Sequence, residues 1–71
     1  MAIIKNIKIT TEFITLQQLL KLADFINSGG EAKIFLQNHE VYVNGELDNR
    51  RGRKLYLNDE ILIDNNKFKI C

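Results

Sequence analysis

Arg50, Arg51, Arg53 and Lys54 fall within five residues around Gly52, and no other stretch of the chain concentrates charge of one sign so tightly. Guanidinium groups meet phosphate oxygens through paired hydrogen bonds, and a glycine among them lets the backbone bend around a polyanion. The chain as a whole carries a formal charge of only +1, so any affinity for an anion has to come from this spot rather than from a general field. The plain alternative is a solvated charged loop, the commonest role of a charge run. Two features favour the phosphate reading. Gly29-Gly30 is expected to open a helix, whose first turn offers free backbone N–H groups and partial positive charge, and Lys33 projects from that same turn. Tyr42 and Tyr56 could add flat faces for base stacking, although an ordinary half-buried role serves each equally well.

Other chemistries lack their parts. Ser28 is the only serine, His39 the only histidine and Cys71 the only cysteine, so a nucleophile, a base and an orienting acid cannot be assembled and no enzyme is expected. Structural zinc wants four cysteine or histidine ligands where the chain has two. Gly29-Gly30 does not complete a nucleotide-binding fingerprint, which needs further glycines. No cofactor and no small-molecule substrate is expected.

The elements that must hold these residues follow from the hydrophobic pattern. At 71 residues, 45% hydrophobic and 27% charged, the chain is expected to form one domain, 1–71, without disulfide or metal staples and without an apolar run long enough to span a bilayer. Residues 1–14 alternate lysine with isoleucine and show no secretory pattern, which predicts a cytoplasmic location. Strand periodicity is expected over 3–9. Thr15 with Gln18 has capping-box spacing, and Leu16, Leu19, Leu20, Ala23 and Ile26 follow the helical period, widened by Leu22 and Phe25. A helix over 16–27 is therefore expected, stopped at Asn27-Ser28-Gly29-Gly30, where two glycines tolerate the left-handed backbone of a C-terminal cap. Ser28 with Glu31 repeats the capping-box spacing and predicts a short second helix over 30–38 with Ala32, Phe35 and Leu36 inward. Val41-Tyr42-Val43 followed by Asn44-Gly45 predicts a tight hairpin over 41–47. Leu55-Tyr56-Leu57 is a short apolar run, Asn58-Asp59 a turn, and strands are expected over 60–64 and 67–71 with a turn at Asn65-Asn66 between them.

Taken in order and spacing, Gly29-Gly30-Glu31-Ala32-Lys33, Val41-Tyr42-Val43-Asn44-Gly45-Glu46, Arg50-Arg51-Gly52-Arg53-Lys54 and Asn58-Asp59-Glu60-Ile61 closely resemble the S4 domain, an RNA-binding module named after a small-subunit ribosomal protein. The resemblance covers about 15–63, so the chain is similar to a short stand-alone member of the YaaA type. It implies an α+β fold, two helices packed on a small, mostly antiparallel sheet, with the helix pair and the following loop (the αL motif) facing structured RNA. Carried over residue by residue, it implies RNA-binding roles for Gly29, Gly30, Lys33, Asn44, Arg50, Arg51, Arg53 and Lys54. The chain departs from the pattern at Asn58, where the family commonly has glycine, and at Asn38-His39-Glu40, which replaces a glycine before the first hairpin strand. Asparagine also visits the left-handed region, so the turn at Asn58 is kept.

The partner implied is structured RNA, ribosomal or transfer, with the ribosome or its precursors as candidates, and no membrane. Two other classes stay open. One is a protein–protein adaptor without RNA. The other is a ubiquitin-like sulfur carrier, but such carriers end in Gly-Gly and this chain ends in Lys-Ile-Cys.

Overall fold

The structure, a computed structural model, describes residues 4–71. Ile3, where the first strand was expected to begin, lies outside the described residues. The elements run β1 (Ile4–Ile7), β2 (Phe13–Thr15), α1 (Leu16–Leu22), α2 (Glu31–Asn38), β3 (Val41–Val43), β4 (Glu46–Leu47), β5 (Lys54–Tyr56), β6 (Glu60–Ile63) and β7 (Asn66–Ile70). Two helices on a mixed five-stranded sheet, with a separate two-stranded sheet, make an α+β fold. No helix of the described residues is long and apolar enough to cross a membrane.

The larger sheet has the order β1-β7-β6-β3-β4. Strict alternation in its central strands sends one side chain in two to the core: Val41, Val43, Ile61, Ile63, Phe68 and Ile70 are buried, while Tyr42, Leu62, Lys67 and Lys69 take the other face. All its pairings are antiparallel except β1 with β7, which run parallel with Ile7 opposite Ile70. Two turns close its hairpins with both central residues left-handed, as tight two-residue turns require. Asn44 (φ 53°) and Gly45 (φ 87°) form the expected one, and Asp64 (φ 48°) and Asn65 (φ 67°) form the other, one residue earlier than the expected Asn65-Asn66. Asn58 has φ 74° and occupies the left-handed position expected for it.

The smaller sheet was not foreseen. Phe13 pairs with Tyr56, Ile14 with Leu55 and Thr15 with Lys54. Of the run Leu55-Tyr56-Leu57 only Leu55 is buried: the alternation of a strand turns Tyr56 outward, and Leu57 lies past the end of β5 in the turn.

Helix α1 starts where its sequence says. Gln18 N–H donates to Thr15 Oγ1 at 3.2 Å and Thr15 N–H donates to Gln18 Oε1 at 2.8 Å, closing the capping box. Leu16, Leu19 and Leu20 are fully buried, each burial stabilising the fold by about 1.5–3 kcal/mol. The helix ends at Leu22, five residues before the expected stop. Asp24 adopts φ 63°, its N–H donates to Lys21 O at 3.1 Å, and Phe25 N–H reaches back to Leu20 O at 2.9 Å. This is a Schellman ending with aspartate in the place glycine normally takes. Phe25 then leaves the helical stripe and packs between Phe35 of α2 (centroids 5.3 Å apart) and Phe68 of β7 (5.8 Å).

Gly29 and Gly30 therefore do not cap α1, and neither has positive φ. Gly30 sits at the start of α2 with φ −66°, ordinary helical backbone. The second capping box is half formed. The Glu31 carboxylate accepts from the Ser28 N–H at 3.1 Å and from the Asn27 N–H, but no side chain caps α2 in return.

Candidate nucleic-acid interface

The basic loop is fixed by backbone hydrogen bonds to the start of α1. Leu16 N–H donates to Arg53 O at 2.9 Å and Gln17 N–H to Arg51 O at 3.0 Å. The first N–H groups of a helix have no partner within it; here the loop's carbonyls satisfy them, and Thr15 Oγ1 takes the next. With its carbonyls turned onto the helix end, the loop leaves Arg50, Arg51 and Lys54 exposed. Arg53 N–H donates to Arg50 O at 3.1 Å, closing the turn around Gly52.

Asp48 organises the loop from beneath. Its carboxylate accepts from the Arg50 N–H (2.9 Å), Arg50 Nε (3.1 Å), Arg50 Nη2 (2.9 Å) and Arg53 Nη1 (2.8 Å). Its side chain is 6% exposed, against 29% for Arg53 and 71% for Arg50. The Arg50 guanidinium, helped by the Arg50 N–H and by Arg53, holds the Asp48 carboxyl well below the usual carboxylate range despite the opposing effect of burial. Arg50 in turn is raised above its ordinary value by the same bonds. Sequence reasoning missed Asp48, although Asp-x-Arg ahead of the cluster has the spacing at which an aspartate accepts from the backbone two residues on.

The cations consequently differ. Arg50 and Arg53 share a counter-charge, whereas Arg51, Lys54 and Lys33 form no ion pair among the described residues. Arg51 and Lys33 line one shallow groove with Leu36, Gln37 and Asn49, so α2 and the loop bring two unneutralised charges to one place. Arg50, Gly52, Arg53 and Lys54 line a second groove with Tyr56 and Asp59. Lys54 Nζ also lies 4.9 Å from the centroid of Phe13, an aromatic that sequence reasoning did not connect with the loop because the pairing of β2 with β5 was not foreseen.

The other expected site residues are placed differently. At Gly29-Gly30 the N–H groups of Glu31 and Ala32 turn back to the carbonyls of Ser28 and Gly29, both at 3.2 Å, and the Glu31 carboxylate brings negative charge to the corner. Gly29 is half-buried against the Gln17 side chain, which a β-carbon would displace, while Gly30 faces open space. Asn44 uses its side chain within the fold: Nδ2 donates to Asp59 Oδ1 at 3.1 Å and Oδ1 accepts from the Glu60 N–H at 3.0 Å. Tyr42 lies on the sheet's outer face, away from the loop, with its hydroxyl 3.4 Å from Glu40 Oε2.

The family model described as "S4 domain" matches residues 7–71. The chain belongs to the S4 domain family. The match extends past both ends of the quoted motifs to include β7 and the end of β1, the pair that forms the sheet's parallel junction. A relative of this S4 domain is the Bacillus subtilis (strain 168) protein named "Probable ribosome maturation protein RlbA", 66% identical over 58 residues that make up 82% of each chain. In this S4 domain, then, the basic loop, the start of α1 and the outer side of α2 form one connected surface, and its cations stand on backbone that the helix end itself holds in place.

Proposed function

We propose that this S4 domain acts as one non-catalytic unit that binds structured RNA, with ribosomal RNA or a ribosome precursor in the cytoplasm as its target. The observation that carries this reading is the groove shared by Lys33 and Arg51, two unpaired cations presented from different elements onto one concave surface. Phosphate groups along an RNA backbone supply the matching charge, and each one neutralised releases counterions and adds to affinity. Arg50, Arg53 and Lys54 extend the cationic surface around the loop. Arg50 keeps guanidinium donors beyond those given to Asp48, because five N–H groups are available and Asp48 takes two. The relative's name connects a similar chain with ribosome maturation, which supports the choice of ribosomal RNA over other structured RNA. Gly30, with open space beside it, allows a backbone to approach the start of α2, although Glu31 limits that corner to a contact that tolerates a carboxylate.

The test is a double change, Lys33→Ala with Arg51→Ala. Neither side chain holds another residue of the fold by an ion pair, so the unfolding midpoint should stay where it is. Binding to structured ribosomal RNA fragments should weaken, and the slope of log affinity against log salt should become shallower by ~1.4 to 1.8, taking ~0.7 to 0.9 for each phosphate left without its cation. Full affinity with an unchanged slope in the double variant would give the surface to a protein partner instead.

A further inference from the structure

The groove between the basic loop and the smaller sheet is not built as a bare phosphate pocket. Arg50, Arg53 and Lys54 line it together with Tyr56 and Asp59. Tyr56 is 43% exposed, yet its backbone is tied to Asp59 and its ring to Phe13. Its N–H donates to Asp59 Oδ2 at 2.8 Å, and its ring rests against Phe13 with centroids 5.7 Å apart at 48°. The register of β2 with β5 sets Thr15 opposite Lys54 beside the Phe13 and Tyr56 pair, so a cation flanks the aromatic pair by construction. A ring fixed in this way loses little freedom when a second flat group stacks on it. An exposed aromatic face next to cations meets both needs of a nucleotide, a surface for the base and charge for the phosphate.

Asp59 adds a discriminating element. Oδ1 accepts from Asn44 Nδ2 at 3.1 Å and Oδ2 from the Tyr56 N–H, and a carboxylate with about four acceptor sites still has room on each oxygen. Such a group repels a phosphate at its own end of the groove. It accepts from an exocyclic amino group.

We propose that this groove is a subsite for a single unpaired nucleotide, its base stacked on the exposed face of Tyr56 with an amino-bearing edge toward Asp59 and its phosphate on Arg53 and Lys54. The inference rests on the RNA-binding reading and adds a preference within it. A continuous duplex keeps its bases stacked and cannot supply one, whereas a bulge, loop or mismatch can. The RNA selected is therefore a helix with an unstacked base beside it, the helix backbone crossing the Lys33 and Arg51 groove. A role for Tyr56 confined to covering Phe13 would be met by leucine nearly as well as by a ring, and this separates the two.

The full chain would be titrated into a labelled blunt RNA duplex, the same duplex with one bulged adenosine, and the same duplex with one bulged uridine. The adenosine bulge should bind most tightly. Tyr56→Leu should weaken that binding by about 5- to 150-fold, the range of base stacking on an aromatic side chain, and abolish the preference over the plain duplex with the salt slope unchanged. Tyr56→Phe should keep both. Equal affinity of Tyr56→Leu and the parent for the bulged RNA, or an equal loss in Tyr56→Phe, overturns the subsite. Equal binding of the adenosine and uridine bulges removes Asp59 from it. In a Tyr42→Phe chain, Tyr56 is the sole tyrosine and there is no tryptophan, so its emission should be quenched on saturation with the adenosine-bulge RNA even if Tyr56→Leu fails to fold, and an unquenched signal refutes stacking. If the parent binds none of these RNAs, the RNA reading and the subsite fall together. Binding that depends on Lys33 and Arg51 but ignores Tyr56 leaves the first standing and overturns the second.

Discussion

Asp48 accepts four hydrogen bonds from two arginines while almost fully buried, and this single side chain determines how the five-residue cluster behaves. Arg53, which by sequence would be a freely solvated phosphate contact, is instead part of the loop's own framework, so replacing it disturbs folding and binding together. Arg51, with no partner among the described residues, is where the two separate. Asp48→Asn keeps the shape of the side chain and one acceptor oxygen but loses the charge. It should lower stability near neutral pH by about 1.5 to 2 kcal/mol, the lower part of the range for hydrogen bonds to charged groups because Arg50 is largely exposed. The sign of its pH dependence follows from the direction of the shift. The folded carboxyl titrates below its ordinary value, so its contribution is complete above the unfolded value of about 4 and declines as pH falls further. Urea unfolding of the parent and Asp48→Asn at pH 7 and at pH 3 should show the gap between them narrowing at the lower pH.

At the scale of elements, the end of α1 is the most instructive departure. Leu22 and Phe25 continue the apolar pattern and two glycines wait at Gly29-Gly30, so periodicity and propensity both carry the helix to residue 27. Packing overrides them, because Phe25 reaches Phe35 and Phe68 only if the chain turns at Asp24. The turn uses a left-handed residue that is not glycine, which costs free energy, and its carboxylate lies near the negative end of the helix dipole. Asp24→Gly should relieve both and raise stability by about 0.5 to 1 kcal/mol, the freer unfolded chain offsetting part of the gain. In a domain of this size that is an increase of about 2 to 8 °C in the thermal midpoint. A lowered midpoint would mean that the Asp24 side chain makes a contribution its backbone geometry does not reveal.

For the whole molecule, the question is whether charge acts locally or as a general field. Lys67 and Lys69 alternate with buried Phe68 and Ile70 on β7 and so face away from the core, and Lys67 Nζ lies 3.3 Å from Glu60 Oε1. The molecule measures 29 × 26 × 20 Å, more than two screening lengths of about 8 Å across at physiological salt. Lys67 and Lys69 line neither the Lys33 and Arg51 groove nor the groove around Tyr56, and a net charge of +1 gives no broad attraction to assist them. Lys67→Ala with Lys69→Ala should leave RNA affinity within about twofold and the salt slope unchanged, in contrast to the weakening expected for Lys33 and Arg51. A comparable weakening would move the interface to the sheet.

The sequence by itself determined those features whose physics is local. Thr15 and Gln18 close a capping box across three residues, Val41 to Val43 alternate into a strand, and Asn44-Gly45 turns because both positions accept positive φ. The S4 family was legible for the same reason, since its motifs are short and ordered along the chain. What tertiary structure alone decided joins residues far apart: β2 against β5, which brings Phe13 to Tyr56 and Lys54; the carbonyls of Arg51 and Arg53 on the start of α1; and Arg51 beside Lys33. None of these leaves a periodic trace, because strands of three residues are too short to show a period and backbone hydrogen bonds are indifferent to side-chain identity. The cations could be counted in advance, but which of them are free depended on a buried aspartate whose surroundings only the folded chain creates.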